Sequence, residues 1–220
     1  MISDDDVVAV ARAAEKLGPA RRDYTDFDFG TALSLTAIDF NMKTPQVAKA
    51  ARHYDDRWRR ELRTLDDFDA LFSKYPETKE GNDELAVALW GYHRWDRAWL
   101  LRLFVAFLRK ANIGDLLDLR AWVAKADYDT DFKGRVQFKR NGYTFSFAEG
   151  VFRWLALRQG VATVKPDVHV HRFVKGALGR AVSNAEAVGV VSRAAERLRR
   201  PWTAHELDNA IWEAGVGIDA

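Results

Sequence analysis

Apolar residues recur every three or four positions along most of the chain, the period of an amphipathic helix. Ser3 followed by Asp4, Asp5 and Asp6 opens one such stretch, and Gly18-Pro19 closes it. Residues 20–29 lose the period and are aromatic, with Tyr24, Phe27 and Phe29. Helices are then expected over about 31–41 and over 46–63, the latter behind a Thr44-Pro45 cap. Shorter ones fit 66–74 and 83–89, and longer ones 95–111 and 115–125. Four more fit 148–159, 167–178, 184–199 and 204–214.

One segment has a period of two. Large apolar side chains alternate across residues 136–147 around Asn141-Gly142. Asn-Gly favours a type I′ turn, whose two central residues both need positive φ. That turn sets Arg140 opposite Tyr143, Phe138 opposite Phe145 and Val136 opposite Phe147. Gln137, Lys139, Thr144 and Ser146 fall on the other face. The expected class is therefore all-α with one β-hairpin, over about 134–147. Its apolar face should pack on the helix beginning near Ala148. Its tip and outer face should offer Lys139, Arg140, Thr144 and the Asn141-Gly142 backbone.

Composition narrows the picture. The 220 residues are 48% apolar, enough to bury a sizeable core as one compact unit or two lobes. Eight Trp and thirteen Phe fill that core, or line a pocket that stacks on a ring. No cysteine is present, which excludes disulfides, thiolate zinc sites and iron–sulfur clusters. The first residues lack a basic n-region and an apolar h-region, so no signal peptide is expected. No apolar run approaches the roughly 20 residues of a membrane span. A soluble, cytoplasmic, monomeric protein is expected. Net charge is only +2, yet residues 133–200 hold fourteen Lys and Arg against four acids, a net of +10. The remainder then carries −8, and such asymmetry suits a face built for a polyanion.

Candidate chemistry gathers at Gly160-Val-Ala-Thr-Val-Lys-Pro-Asp-Val-His-Val-His-Arg-Phe. Read as structure alone, Asp167 is a helix N-cap. The stretch resembles the catalytic segment of the helix-hairpin-helix DNA glycosylase superfamily, of the endonuclease III type. There a helix ends in Gly, an apolar loop follows, and an aspartate opens the next helix ahead of a His. Asp167, Val168, His169 and Val170 match that order. Leu33-Ser-Leu-Thr-Ala-Ile-Asp39 resembles the early helix of the family. Trp90-Gly-Tyr-His-Arg-Trp-Asp-Arg-Ala98 resembles its Gly-Tyr turn, and Leu207-Asp-Asn-Ala-Ile-Trp-Glu-Ala-Gly215 its last helix.

The resemblance implies two lobes: a central helical barrel over 30–160, and a second lobe of 1–29 plus 161–220. Asp167 would face the cleft between them as the catalytic carboxylate. The partner would be double-stranded DNA carrying a damaged or modified base, with no cofactor and no metal. Phosphate contacts are expected from Lys139, Arg140, Asn141, Gly142, Arg172 and Lys175, with Lys133 and Arg135 nearby. Thr36, Tyr92 and His93, with Tyr24 and Phe27, would form the base-flipping wedge or pocket. A bulky modified base, such as a glycosylated pyrimidine of phage DNA, stays open as substrate.

Two positions depart from the pattern. Phe145 and Phe147 stand where the family has its phosphate-gripping Gly-x-Gly turn, and the hairpin occupies that place. Glu149 stands where bifunctional members carry a lysine, so no Schiff base and no lyase step are expected. Two other readings follow: a glycosylase-like DNA-binding protein without chemistry, and a helical interaction protein in which Asp167 only caps.

Overall fold

The computed structural model describes residues 2–21, 28–39 and 42–218. Helix accounts for 64% of it. In chain order the helices are α1 (Asp4–Ala14), α2 (Phe29–Asp39), α3 (Thr44–Arg57), α4 (Leu65–Phe72), α5 (Lys79–Trp90), α6 (Trp95–Lys110) and α7 (Leu116–Val123). A π-helical turn (Tyr128–Phe132) and the strands β1 (Gln137–Arg140) and β2 (Tyr143–Ser146) follow. The last four helices are α8 (Glu149–Arg158), α9 (Val168–Leu178), α10 (Asn184–Glu196) and α11 (Ala204–Ile218). The class is all-α with one hairpin.

The chain divides into two compact units, Met1–Asp26 with Ala156–Ala220, and Phe27–Leu155. In the first, Ser3 and Asp6 form a reciprocal capping box that starts α1. Val7, Val10, Ala11 and Ala14 form its buried stripe. They meet Val170 and Val174 of α9, Val190, Val191 and Ala194 of α10, and Leu207 and Ile211 of α11 in one core.

In the second unit α2 is buried along nearly its whole length, so its polar groups need partners. The Thr31 hydroxyl donates to the Asp28 carboxylate at 2.8 Å, and Ser34 accepts the Trp90 indole N–H at 2.8 Å. Gly30 lies hard against the Leu62 carbonyl and the Tyr54 hydroxyl, where a Cβ would collide. Around α6 gathers an aromatic core. Phe104 meets Phe132 and Phe147 edge-on, and Phe107, Trp122 and Phe152 enclose Phe132 from other sides.

The hairpin has the register its turn implies: Arg140 opposite Tyr143, and Phe138 opposite Phe145. Asn141 and Gly142 take φ of 49° and 79°. Two expectations about it are corrected. Its aromatic face packs on α6, not on the helix after Ala148: Phe138 lies 5.1 Å from Trp99 and 5.8 Å from Trp95 between ring centroids. Arg140 is not on the outer face. Strand alternation turns it to the side of Phe138, where its guanidinium sits over the Trp95 ring at 5.2 Å and that of Trp99 at 5.9 Å.

Several helix limits also differ. Lys43, not Thr44, is the N-cap of α3, and Pro45 falls in its first turn. That helix stops at Arg57, and the following turn delivers Leu62 to the core. Helix α5 starts at Lys79, earlier than the apolar period shows, because the Thr78 hydroxyl caps the Gly81 amide and Asn82 is buried by bonding.

Gly30 yields a stability prediction. Gly30→Ala should destabilise the protein by about 1–3 kcal/mol, because the methyl meets backbone that cannot move aside. Gly150→Ala in α8 meets nothing and should be neutral or gain about 0.5 kcal/mol. Urea midpoints measure both, and equal midpoints for the two variants would contradict the close contact at Gly30.

Candidate active site and nucleic-acid interface

Asp167 is the N-cap of α9. Its backbone is extended, and Oδ1 accepts the amide N–H groups of His169 at 2.8 Å and Val170 at 3.1 Å. Both bonds fall on one oxygen, so Oδ2 takes no part in the cap. The cap also fixes where the carboxylate points, because the first turn of α9 holds it. Val168, next in sequence, is 61% exposed, unusual for a valine. Arg172 and Lys175 lie four and seven positions on, and both are exposed. At helical spacing these make one stripe with Val168, so Asp167 heads a solvent-facing edge that carries two cations.

The loop before Asp167 is held from α11. The Lys165 N–H donates to Asp208 Oδ1 at 2.9 Å, and the Asp167 N–H donates to the Lys165 carbonyl at 2.8 Å. Asp208 is 4% exposed. Burial pushes its carboxyl up to about 8. The Lys165 amide opposes the shift, the Asp167 charge adds to it, and the Lys165 charge lowers it. Asp208 is thus an uncharged acid at neutral pH beside the charge of Asp167. The sequence reading gave it no role. No local spacing marks it, and only the structure shows that Asp208 and Asn209 lie in a run, 207–211, that is buried throughout. On the same helix Gly215 leaves room for the His169 ring, which a Cβ there would strike. His169 Nδ1 is buried with no hydrogen-bond partner among the described residues.

A cavity of about 450 Å³ opens beside the start of this loop, lined by Gly160, Ala162, Trp202, His205 and Asn209 among others. Asp167 does not line it. Among the described residues no three His, Asp or Glu side chains converge as metal ligands.

The remaining candidates lie in the second unit. Lys139 and the Asn141-Gly142 turn are exposed, and Arg140 is half-buried on the tryptophans. Lys133 pairs with Asp129 at 2.6 Å. Tyr92 is half-buried with the Lys49 ammonium 5.7 Å from its ring. The His93 side chain is 81% exposed, and its Nδ1 lies 2.6 Å from an Asp83 oxygen. Thr36 is 1% exposed, because α2 runs through the core, so it cannot act as a wedge at a surface. Tyr24 and Phe27 lie outside the described residues. Glu149 forms an ion pair with Arg153 at 2.9 Å.

No described helix is long and apolar enough to cross a membrane. The chain belongs to the family described as "Domain of unknown function (DUF8548)", whose model matches residues 97–216. The match takes in the hairpin, the Asp167 loop and Asp208. No curated protein and no solved structure matches the chain.

Burial of Asp208 has a pH signature. Unfolded, it titrates near the ordinary aspartate value of about 4. Folded, it holds its proton to about 8. Between those values the unfolded chain binds fewer protons, so stability falls as pH rises through the window and levels off above it. Asp208→Asn keeps an oxygen for the Lys165 amide and removes the titration. Relative to wild type, the variant should gain stability from acid to mildly alkaline pH, by an amount on the order of a few kcal/mol. A stability difference that stays constant from pH 4 to 9, measured by urea unfolding, would contradict the buried acid.

Proposed function

We propose that this protein is a monofunctional DNA glycosylase with the helix-hairpin-helix glycosylase fold, and that Asp167 is its catalytic carboxylate. It hydrolyses the N-glycosidic bond of a damaged or modified base in double-stranded DNA and leaves an abasic site. The observation that carries this reading is the Asp167 cap: a carboxylate fixed by two amides through one oxygen, on a loop pinned by a buried acid, heading an exposed edge with Arg172 and Lys175.

Loss of the base builds positive charge on the deoxyribose. A fixed carboxylate near C1′ stabilises that charge, and its second oxygen orients a water or takes a proton from it. The water adds to C1′ as the C1′–N bond breaks, and the departing base takes up a proton. Preorganisation matters because a carboxylate already held in place needs no rearrangement when the charge appears. The uncharged state of Asp208 leaves the loop anchored without a second negative charge that would repel phosphate. Arg172 and Lys175 would meet the DNA backbone. A bulky modified base of phage DNA remains within the substrate range.

A second reading has one observation in its favour. Phe145 and Phe147 stand in place of the family's glycine turn, which fits a DNA-binding protein without chemistry. Incubation with DNAs carrying different damaged or modified bases, assayed for abasic sites, separates the two. Asp167→Asn should cost at least about a hundredfold in rate, since it keeps the shape and loses the charge. Folding and DNA affinity should hold. Full base release by folded Asp167→Asn protein would remove Asp167 from the mechanism.

Strand chemistry gives an independent check. With Glu149 paired to Arg153 in the place of the bifunctional lysine, the product should be an intact abasic strand. Borohydride should trap no covalent protein–DNA adduct. A trapped adduct mapping to a lysine, Lys165 first, would show lyase chemistry instead.

A further inference from the structure

We infer that Tyr143, at the tip of the hairpin, is a stacking wedge that fills the gap left in a DNA duplex by an extruded nucleotide. The inference rests on the DNA reading above and goes beyond it, since phosphate contact was the role expected of this hairpin.

Three observations carry it. The first is a ladder of rings that leaves the core and ends in solvent. Tyr143 and Phe145 share one face of β2, and Phe147, just past its end and bonded through its N–H to the Val136 carbonyl, continues the alternation. Phe147 is 2% exposed, Phe145 is half-buried and Tyr143 is 72% exposed. The second is rigidity. Phe145 stacks on Phe138 at 4.8 Å with the rings 6° apart, and Phe138 stacks on Trp99 at 5.1 Å. Trp95 closes edge-on against both phenylalanines. The type I′ turn adds two residues of fixed positive φ. Tyr143 is therefore an exposed ring on a stiff arm, which is what insertion between bases requires. The third is charge. Both strands and the turn, residues 137–146, hold Lys139 and Arg140 and no acid. Such a tip attracts a polyanion and repels basic protein surfaces.

Other wedge candidates fare worse. Thr36 is in the core, Tyr92 is half-buried near the Lys49 ammonium, and the His93 ring is tied to Asp83. Arg140 belongs to the arm, not to the phosphate contacts. Stacked on Trp95 and Trp99 across from Tyr143, it fixes a positive charge beside the ring. Lys139, on the opposite face, is the residue free to meet phosphate. Base stacking on an aromatic ring tolerates any sequence, because every base has a π-face.

The test uses labelled duplexes of one sequence, one fully paired and one with a tetrahydrofuran abasic analogue that leaves a gap. Fluorescence anisotropy gives the affinities. Wild type should prefer the gapped duplex. Tyr143→Ala should lose about tenfold on it and little on the paired one, as one base–aromatic contact implies. Tyr143→Phe should bind like wild type. Lys139→Ala should weaken both duplexes alike and flatten the salt dependence. Unchanged gap preference in Tyr143→Ala overturns the wedge while leaving the glycosylase reading intact. A Tyr143-dependent gap preference in a protein that releases no base supports the wedge and overturns the glycosylase reading. Failure of the wild type to bind either duplex overturns both.

Discussion

A carboxyl group taken out of water must lose its charge or find strong partners, and the loop that presents Asp167 depends on how Asp208 meets that demand. Asp208 accepts one backbone amide, that of Lys165, and holds its proton. The chain it grips has almost no freedom left. Pro166 is buried with its φ set by its ring. The Asp167 amide is tied back to the Lys165 carbonyl, and the Asp167 carboxylate is tied forward to α9. Three successive residues are thus each held, two by hydrogen bonds and one by its ring, and together they set the direction of the carboxylate. An ionised aspartate at position 208 would be poorly suited to this task, since it would set a second charge beside that of Asp167.

The second unit solves a different problem by related means. A two-stranded hairpin alone is marginally stable in water. Here β1 and β2 are fastened by rings, each favourable pair adding about 0.5–1.5 kcal/mol beyond area burial. Phe145 and Phe147 are both rungs of this fastening. The hairpin is thus an arm braced against Trp95 and Trp99.

What the sequence made legible was local. Asn141-Gly142 and a period of two specify the hairpin and its register, because turn type and alternation are both short-range. Ser3, with Asp6 three positions on, marks a real capping box. Asp167 at a helix start is the same kind of signal. Asp208 was not legible, because its partner is 43 residues away and no local spacing reports that. Arg140 shows a conflict between rules. Charge argued for solvent and alternation argued for the inner face, and the indoles of Trp95 and Trp99 let alternation win by offering the cation a π surface. The start of α5 was hidden because Gly81 and Asn82, both buried, carry no apolar signature.

On the proposed reading, two kinds of side chain would meet DNA, and the difference between them is physical. Arg172 and Lys175 on α9, like Lys139 on the hairpin, act through charge, which is blind to sequence and weakened by salt. Tyr143 would act through ring stacking, which salt screens much less and which needs an unstacked base to receive it. Charge alone would hold the protein anywhere on a duplex. A rigid ring adds a bonus only where a base has left the stack, the state in which a carboxylate could reach C1′. Neither contact requires a particular sequence, so discrimination would fall to whatever encloses the extruded base. Such a division would suit an enzyme that finds rare altered bases: the cations would give residence on any DNA, and the wedge a reason to stop.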